Sequence, residues 1–241
     1  MNSMTSPASC TPHSTAATIP CAWLLILALL AISAGSARAD SEISDNFDLS
    51  LPGRSEGGLL NRLPIANGNA TWSAYGNVVL GQGGVLTVRS TGGTRAQVPL
   101  RVQSGTVTLF VSLRPGSEKK SKSWIGAGFL NKGSSNLWND ATPSDGGQIW
   151  TQIAADGTVT VFEGTRVVNR SIMLGSIAAG MVPVVIQCNL DDGTFAVSIN
   201  GVEFAKGALS QIPVINWARI EMDNPSPLQT QADDFRILMT R

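Results

Sequence analysis

The sequence predicts an all-β protein built as a two-sheet antiparallel β-sandwich. Three observations lead there. Beyond residue 40, apolar residues recur at every second position in short runs, which is the period of a strand with one buried face. Asp-Gly and Asn-Gly pairs separate several of these runs, and each pair accommodates the positive backbone angles of a tight hairpin. No window carries the period of an amphipathic helix.

The chain opens with a segment that reads as an address. From Cys21 to Ile32 it runs CAWLLILALLAI without a charge. That is shorter than the ~20 residues of a bilayer span but suits the core of a secretory signal peptide. Ala37-Arg38-Ala39 follows as an A-x-A cleavage signature, so residues 1–39 are expected to leave and Asp40 to begin the mature chain. No Lys or Arg precedes the apolar run, and Cys21 stands before the apolar core, where it does not mark a lipoprotein. The expected destination is secreted or periplasmic, with no membrane span after signal cleavage and one domain over 40–241. Cys10 and Cys21 depart with the signal, so Cys188 remains without a disulfide partner. Stability must then come from a hydrophobic core, which a chain of this length supplies. Cys188 occupies an apolar position in VVIQCNL and is expected to be a buried, inert thiol. His13, the sole histidine, also departs.

The strands follow in order. ATWSA, NVVL, VLTVRS and RAQVPL come first. In GTVTLFVSLRP, Val107, Leu109, Val111 and Leu113 share one face and Arg114 lies on the other. In SWIGAGFL, Ile125, Ala127 and Phe129 alternate with Trp124, Gly126 and Gly128. In GQIWTQI, Ile149, Thr151 and Ile153 alternate with Gln148, Trp150 and Gln152. TVTVF, VPVVIQCNL, TFAVSI, VEFA, ARIEM and DDFRILM obey the same rule. Asp156-Gly157, Asp192-Gly193 and Asn200-Gly201 are expected to form type I′ hairpin turns. Strands with a single apolar face belong in a sandwich, each sheet burying one side. Two long stretches interrupt the pattern: a Gly/Asn/Pro-rich crossing over 51–69, and a polar loop over 131–147 with Trp138 at its centre. Loops of that length are often functional. A third, Gly116 to Ser123, carries Lys119, Lys120 and Lys122 beside Glu118, as a solvated hairpin tip would.

Composition excludes several classes. Seventeen basic residues against seventeen acidic leave no charge excess for a nucleic-acid partner. At 43% hydrophobic and 14% charged the chain is too apolar to be disordered. Without a mature histidine, Ser/His/Asp and Cys/His nucleophilic schemes cannot be assembled, and a zinc site is excluded.

The order of pieces resembles the concanavalin A-like lectin/glucanase superfamily, specifically the LamG-like jelly-roll modules of exported bacterial proteins. The features are DNF (Asp45–Phe47), TWSA (Thr71–Ala74), TVTLFVSLRP, WIGAGF (Trp124–Phe129), ADGTVTVF (Ala155–Phe162), VVIQCNLDDGTFAVSINGVEF and a closing DDFRIL (Asp233–Leu238). The resemblance covers almost all of 40–241 and implies that opening and closing strands pair, with Phe47 and Phe235 in one core region. It also implies glycan binding, glycan hydrolysis, or service as an envelope module.

For hydrolysis, the resemblance implies a strand with two glutamates around an aspartate. The nearest match is Glu221-Met222-Asp223, where Asn224 and Pro225 follow and the second glutamate is absent. Glu221 and Asp223 share a strand face and are the weak catalytic candidates; the other reading is an outer face on which Arg219 offsets Glu221. For binding, Trp150 between Gln148 and Gln152 offers an aromatic platform flanked by amides, opposite the core-facing Ile149 and Ile153. Trp124 beside Gly126 and Gly128, Trp138 in the long loop, and Arg114, Gln187 and Asn189 at outward positions complete this set. The competing expectation is that the 131–147 loop covers these tryptophans. Trp72 and Trp217 are expected in the core or at its rim. Glu42, Asp45, Asp48, Asp233 and Asp234 could gather where the terminal strands meet, so Asp45, Asp233 and Asp234 are weak candidates for a structural Ca2+; no other cofactor is expected. The expected function is a non-catalytic carbohydrate-binding or envelope module with a polysaccharide or glycan partner. A polysaccharide-degrading enzyme of the same fold, or a purely structural module, is the alternative.

Overall fold

The computed structural model of the chain describes residues 41–116, 123–134, 137–139, 142–143, 147–173, 180–223 and 225–241; the expected signal peptide lies outside them. Seventeen strands and no helix are present among the described residues. Eight form one antiparallel sheet: β1 (Ser41–Asp45), β3 (Val78–Gly81), β4 (Val85–Val88), β6 (Thr106–Arg114), β13 (Val182–Asn189), β14 (Thr194–Ile199), β15 (Val202–Ala208) and β17 (Gln231–Thr240). They run in the order β15-β14-β13-β6-β17-β4-β3, with β1 paired to β17. The second sheet has seven strands in the order β12-β11-β10-β7-β16-β5-β2. These are β2 (Ser73–Tyr75), β5 (Thr94–Val102), β7 (Trp124–Leu130), β10 (Gly147–Ala154), β11 (Thr158–Glu163), β12 (Arg166–Ile172) and β16 (Ile215–Asp223). A two-residue pair, β8 (Trp138–Asn139) with β9 (Thr142–Pro143), sits in the 131–147 loop.

The alternation places Val107, Leu109, Val111 and Leu113 of β6 opposite Ile125, Ala127 and Phe129 of β7 in a single inter-sheet core. Cys188 lies fully inside it, and burial pushes its thiol up to about 12. Of the expected I′ turns, only Asn200-Gly201 has positive φ at both positions, 52° and 75°. At Asp156-Gly157 and Asp192-Gly193 only the glycine is positive. There the preceding side chains cap the turn instead: Asp156 Oδ1 accepts Thr158 N–H at 2.8 Å, and Asn189 Oδ1 accepts the N–H of Asp192 at 3.0 Å.

Opening and closing strands pair as expected, from Ser41 against Met239 to Asp45 against Phe235. Phe47 and Phe235 reach one core region through the Trp72 ring, whose centroid lies 5.6 and 4.9 Å from theirs. Asp45, offered by the sequence as a calcium candidate, is occupied otherwise. Its Oδ1 accepts Phe47 N–H at 2.8 Å and Arg54 at 2.7 Å, and its Oδ2 accepts Arg54 at 2.6 Å and the Trp72 indole N–H at 2.7 Å. This buried bidentate pair fastens the 51–69 crossing to the end of β1.

Candidate functional site

The registers of the seven-stranded sheet place its outward side chains in rows. One row reads Phe162–Trp150–Gly128–Arg219–Gln97–Ser73 across β11, β10, β7, β16, β5 and β2. The next reads Thr160–Gln152–Gly126–Glu221–Arg95–Tyr75, and the third Ala154–Trp124–Asp223.

The first row is closed from Phe162 to Gln97. Trp150 is 0% exposed and stacks on Phe162 with centroids 4.1 Å apart and planes 10° from parallel. Leu130, Leu137 and Trp217 complete a second, smaller core on this outer face. Its cover is tied down by charge. Buried Arg219 donates to Glu221 Oε2 at 3.0 Å, to Gln97 Oε1, and to the Gly133 carbonyl at 2.7 Å. Glu221 Oε2 also accepts Leu137 N–H at 2.8 Å. Burial presses the Arg219 pKa down, and the Glu221 carboxylate beside it works in the opposite direction.

The end of the second row and the third row beside it border an opening. Tyr75, Thr94, Arg95, Trp124, Glu221 and Asp223 line a cavity of about 380 Å³. Tyr75 is 65% exposed, and the Arg95 guanidinium lies over its ring, 5.2 Å from the centroid. Trp124 forms the wall, with only 4% of its surface exposed. Among the described residues, no group of three or more His, Cys, Asp or Glu is gathered to hold a metal ion. The cavity therefore offers an exposed ring, a guanidinium and carboxylates, the set that holds a polar, hydroxyl-rich ligand by stacking and hydrogen bonds.

No protein-family model matches this chain, and no curated protein sequence does. Solved structures do. The carbohydrate recognition domain of Emp47p superposes with a TM-score of 0.51 at 12% identity, over 83% of this chain and 94% of that one. A variant of the Emp46p carbohydrate recognition domain gives 0.50 at 11% identity, over 70% and 87%. The binding domain of botulinum neurotoxin DC, in complex with rat synaptotagmin II, gives 0.52 at 15% identity, over 83% of this chain and 48% of that one. The fold is concanavalin A-like.

On this concanavalin A-like sandwich the residues singled out from the sequence scatter. Trp150 does face outward, but it presents no ring to solvent. Gly126 and Gly128, the glycines beside Trp124, leave no open floor: a Cβ at Gly126 would lie 2.6 Å from the Thr151 carbonyl oxygen and one at Gly128 2.3 Å from the Trp150 Cβ, and one at Gly147 would lie 2.8 Å from the Trp150 ring. The indole N–H is spent on the Gly164 carbonyl at 3.1 Å. Gln148 is half-buried and turned to the Gly147 carbonyl at 3.2 Å, while Gln152 is buried beside Gly126. Arg114, Gln187 and Asn189 belong to the eight-stranded sheet and cannot share a face with Trp124. The Trp138 side chain lies outside the described residues. Lys119, Lys120 and Lys122 also lie outside them.

Glu221 and Asp223 share a face, but Glu221 serves as the anchor of Leu137 and Arg219. The acidic residues near the terminal strands are engaged separately. Glu42 pairs with Arg236 at 3.2 Å, Asp48 accepts Ser50 N–H at 2.8 Å, and Asp234 accepts the Ser112 hydroxyl at 2.9 Å. Asp233 accepts Asp234 N–H at 2.8 Å, and burial raises its pKa. Tyr75 and Arg95 were missed. Both stand at every-second positions that pair across a short edge strand, and only the register of β2 against β5 puts the ring under the guanidinium.

Proposed function

We propose that the protein is an exported, non-catalytic carbohydrate-binding module that takes saccharide in the cleft between Tyr75 and Trp124. The observation that carries this reading is the exposed Tyr75 ring, with the Arg95 guanidinium over it, in a cavity that Asp223 and Trp124 also line. The fold, shared with proteins described as carbohydrate recognition domains, is consistent with it. A sugar stacks its C–H face on such a ring while Arg and Asp pair with neighbouring hydroxyls. Glu221 favours binding over hydrolysis, because a carboxylate that holds Arg219 and a backbone N–H is poorly suited to deliver a proton.

The test is a glycan array and an insoluble-polysaccharide pull-down with the wild type beside Tyr75→Ala and Trp150→Phe. Binding lost in the first and kept in the second supports the cleft. Binding unaffected by Tyr75→Ala moves the site elsewhere, and turnover of a glycan that Glu221→Gln abolishes would replace the reading with an enzyme. Export from residues 21–39 is checked by N-terminal sequencing of the secreted protein, expected to begin at Asp40. A purely structural role has one observation in its favour, the burial of Trp150, and total absence of glycan binding would establish it.

A further inference from the structure

A second cavity adjoins the first. It measures about 540 Å³ and shares Tyr75 and Arg95 with the cleft, so the stacked pair forms a ridge between two hollows. Asn61, Arg62, Ser73 and Gln97 line the far side. We propose that the two hollows are consecutive subsites of one groove, which binds a linear oligosaccharide along its length rather than a single terminal sugar. This rests on the carbohydrate-binding reading above and names the form of its ligand.

The far wall is built, not incidental. Arg62 holds a left-handed backbone, φ 68°, which a side-chain-bearing residue adopts only where its surroundings enforce it. The enforcing contacts are two backbone bonds to Trp72, Arg62 N–H to the Trp72 carbonyl and Trp72 N–H to the Leu63 carbonyl, both at 2.9 Å. Trp72 is in turn fixed by its indole bond to buried Asp45. The turn is thus pinned to the core while the Arg62 side chain stands exposed, with no hydrogen bond or ion pair to a described residue. Asn61 Oδ1 accepts Ala74 N–H at 3.1 Å, which leaves the amide Nδ2 to donate.

The chemistry of the two halves differs as that of adjoining sugar subsites would. The near hollow is acidic: it is lined by the carboxylates of Asp223 and of Glu221, the latter already engaged by Arg219 and the Leu137 N–H. The far hollow holds donors, the Arg62 guanidinium and the Asn61 amide, and its Gln97 is already committed to Arg219 and to the Gly133 carbonyl at 3.1 Å. Between them the exposed face of Tyr75 is a stacking platform at the junction of the two hollows. A single pyranose reaches one hollow only, whereas a chain of several reaches both.

The experiment is isothermal titration of the protein with cello-, laminari-, xylo- and manno-oligosaccharides, each as monosaccharide, disaccharide, tetrasaccharide and hexasaccharide. The variants are Tyr75→Ala, Asn61→Asp and Arg62→Gly. Asn61→Asp keeps the acceptor that Ala74 uses, and glycine accepts the φ of Arg62, so neither disturbs the turn. For at least one series, affinity is expected to rise about tenfold or more between disaccharide and tetrasaccharide and then level off. Arg62→Gly and Asn61→Asp should remove most of that gain and leave disaccharide binding intact, while Tyr75→Ala weakens every length. Affinity that does not depend on length, or a tetrasaccharide gain untouched by both far-side variants, overturns the groove but not the cleft. Absence of binding at every length in every series overturns both.

Discussion

Trp150→Ala separates a packed tryptophan from a ligand platform. The ring is fully buried, stacked on Phe162 at 4.1 Å and bonded to the Gly164 carbonyl. Truncating a buried Trp to Ala costs about 3–5 kcal/mol. The strand backbones at Gly128 and Gly147 are packed directly against this side chain, and both lie within paired strands that collapse little into a vacated space, which puts the cost toward the upper end. Leaving the Gly164 carbonyl without its donor adds about 1 kcal/mol. A domain of this size is typically stable by about 5–15 kcal/mol and loses about 2–4 °C in Tm per kcal/mol. With about 5–6 kcal/mol lost in total, the variant should therefore unfold about 10–24 °C below the wild type. Urea titration followed by circular dichroism is the assay, with the midpoint falling and the slope unchanged. Trp150→Phe, which keeps the stack and loses the indole bond, should fall between. A Trp150→Ala variant within about 1 kcal/mol of wild type, or one that loses glycan binding at full stability, would refute the reasoning.

Other consequences follow from the buried groups. Arg54→Met leaves Asp45 charged and buried, so it should cost about 3–5 kcal/mol, and adding Asp45→Asn should recover part of that loss. Gly128→Ala drives a methyl into the Trp150 Cβ and should destabilise by about 1–3 kcal/mol or more, read by the same urea titration. Cys188, its thiol raised to about 12, should resist a thiol reagent at pH 8 in the folded state and react fully in denaturant. Because its pKa is raised on folding, its contribution to stability is complete below the unfolded value of ~8.5 and is lost as pH climbs toward 12; Cys188→Ala should flatten that alkaline limb. For Glu163, burial raises the pKa, but bonds from Arg166 and from the Ser210 N–H outweigh it and hold the carboxyl below its ordinary range. That contribution is present above the unfolded carboxylate pKa and disappears as pH falls through the folded one, so Glu163→Gln should show a shallower loss of stability in acid.

The sandwich was legible because strand alternation and Gly-containing turns are local signals. Ile149 and Ile153 face inward whatever the rest of the chain does, and the β1–β17 pairing brings Phe47 and Phe235 together through Trp72. The candidate site was less legible, since a period of two says which side of a sheet a residue occupies but not what covers that side. Trp150 was placed on the correct face, and its cover depends on Leu137 reaching Glu221, a contact across 84 positions. Arg114 illustrates a second limit, because alternation does not reveal which sheet a strand joins. Tyr75 and Arg95 illustrate a third: a three-residue edge strand carries almost no periodic signal, and the pair exists only through its register.

The cleft is tested most directly by two-dimensional 15N NMR of the labelled protein, titrated with whichever oligosaccharide series binds. The account predicts shifts of the Trp124 indole N–H and of the backbone amides of Tyr75, Thr94 and Arg95, with the Trp150 indole unmoved. Shifts confined to the outer face of the eight-stranded sheet, around Gln187 and Lys206, would contradict it.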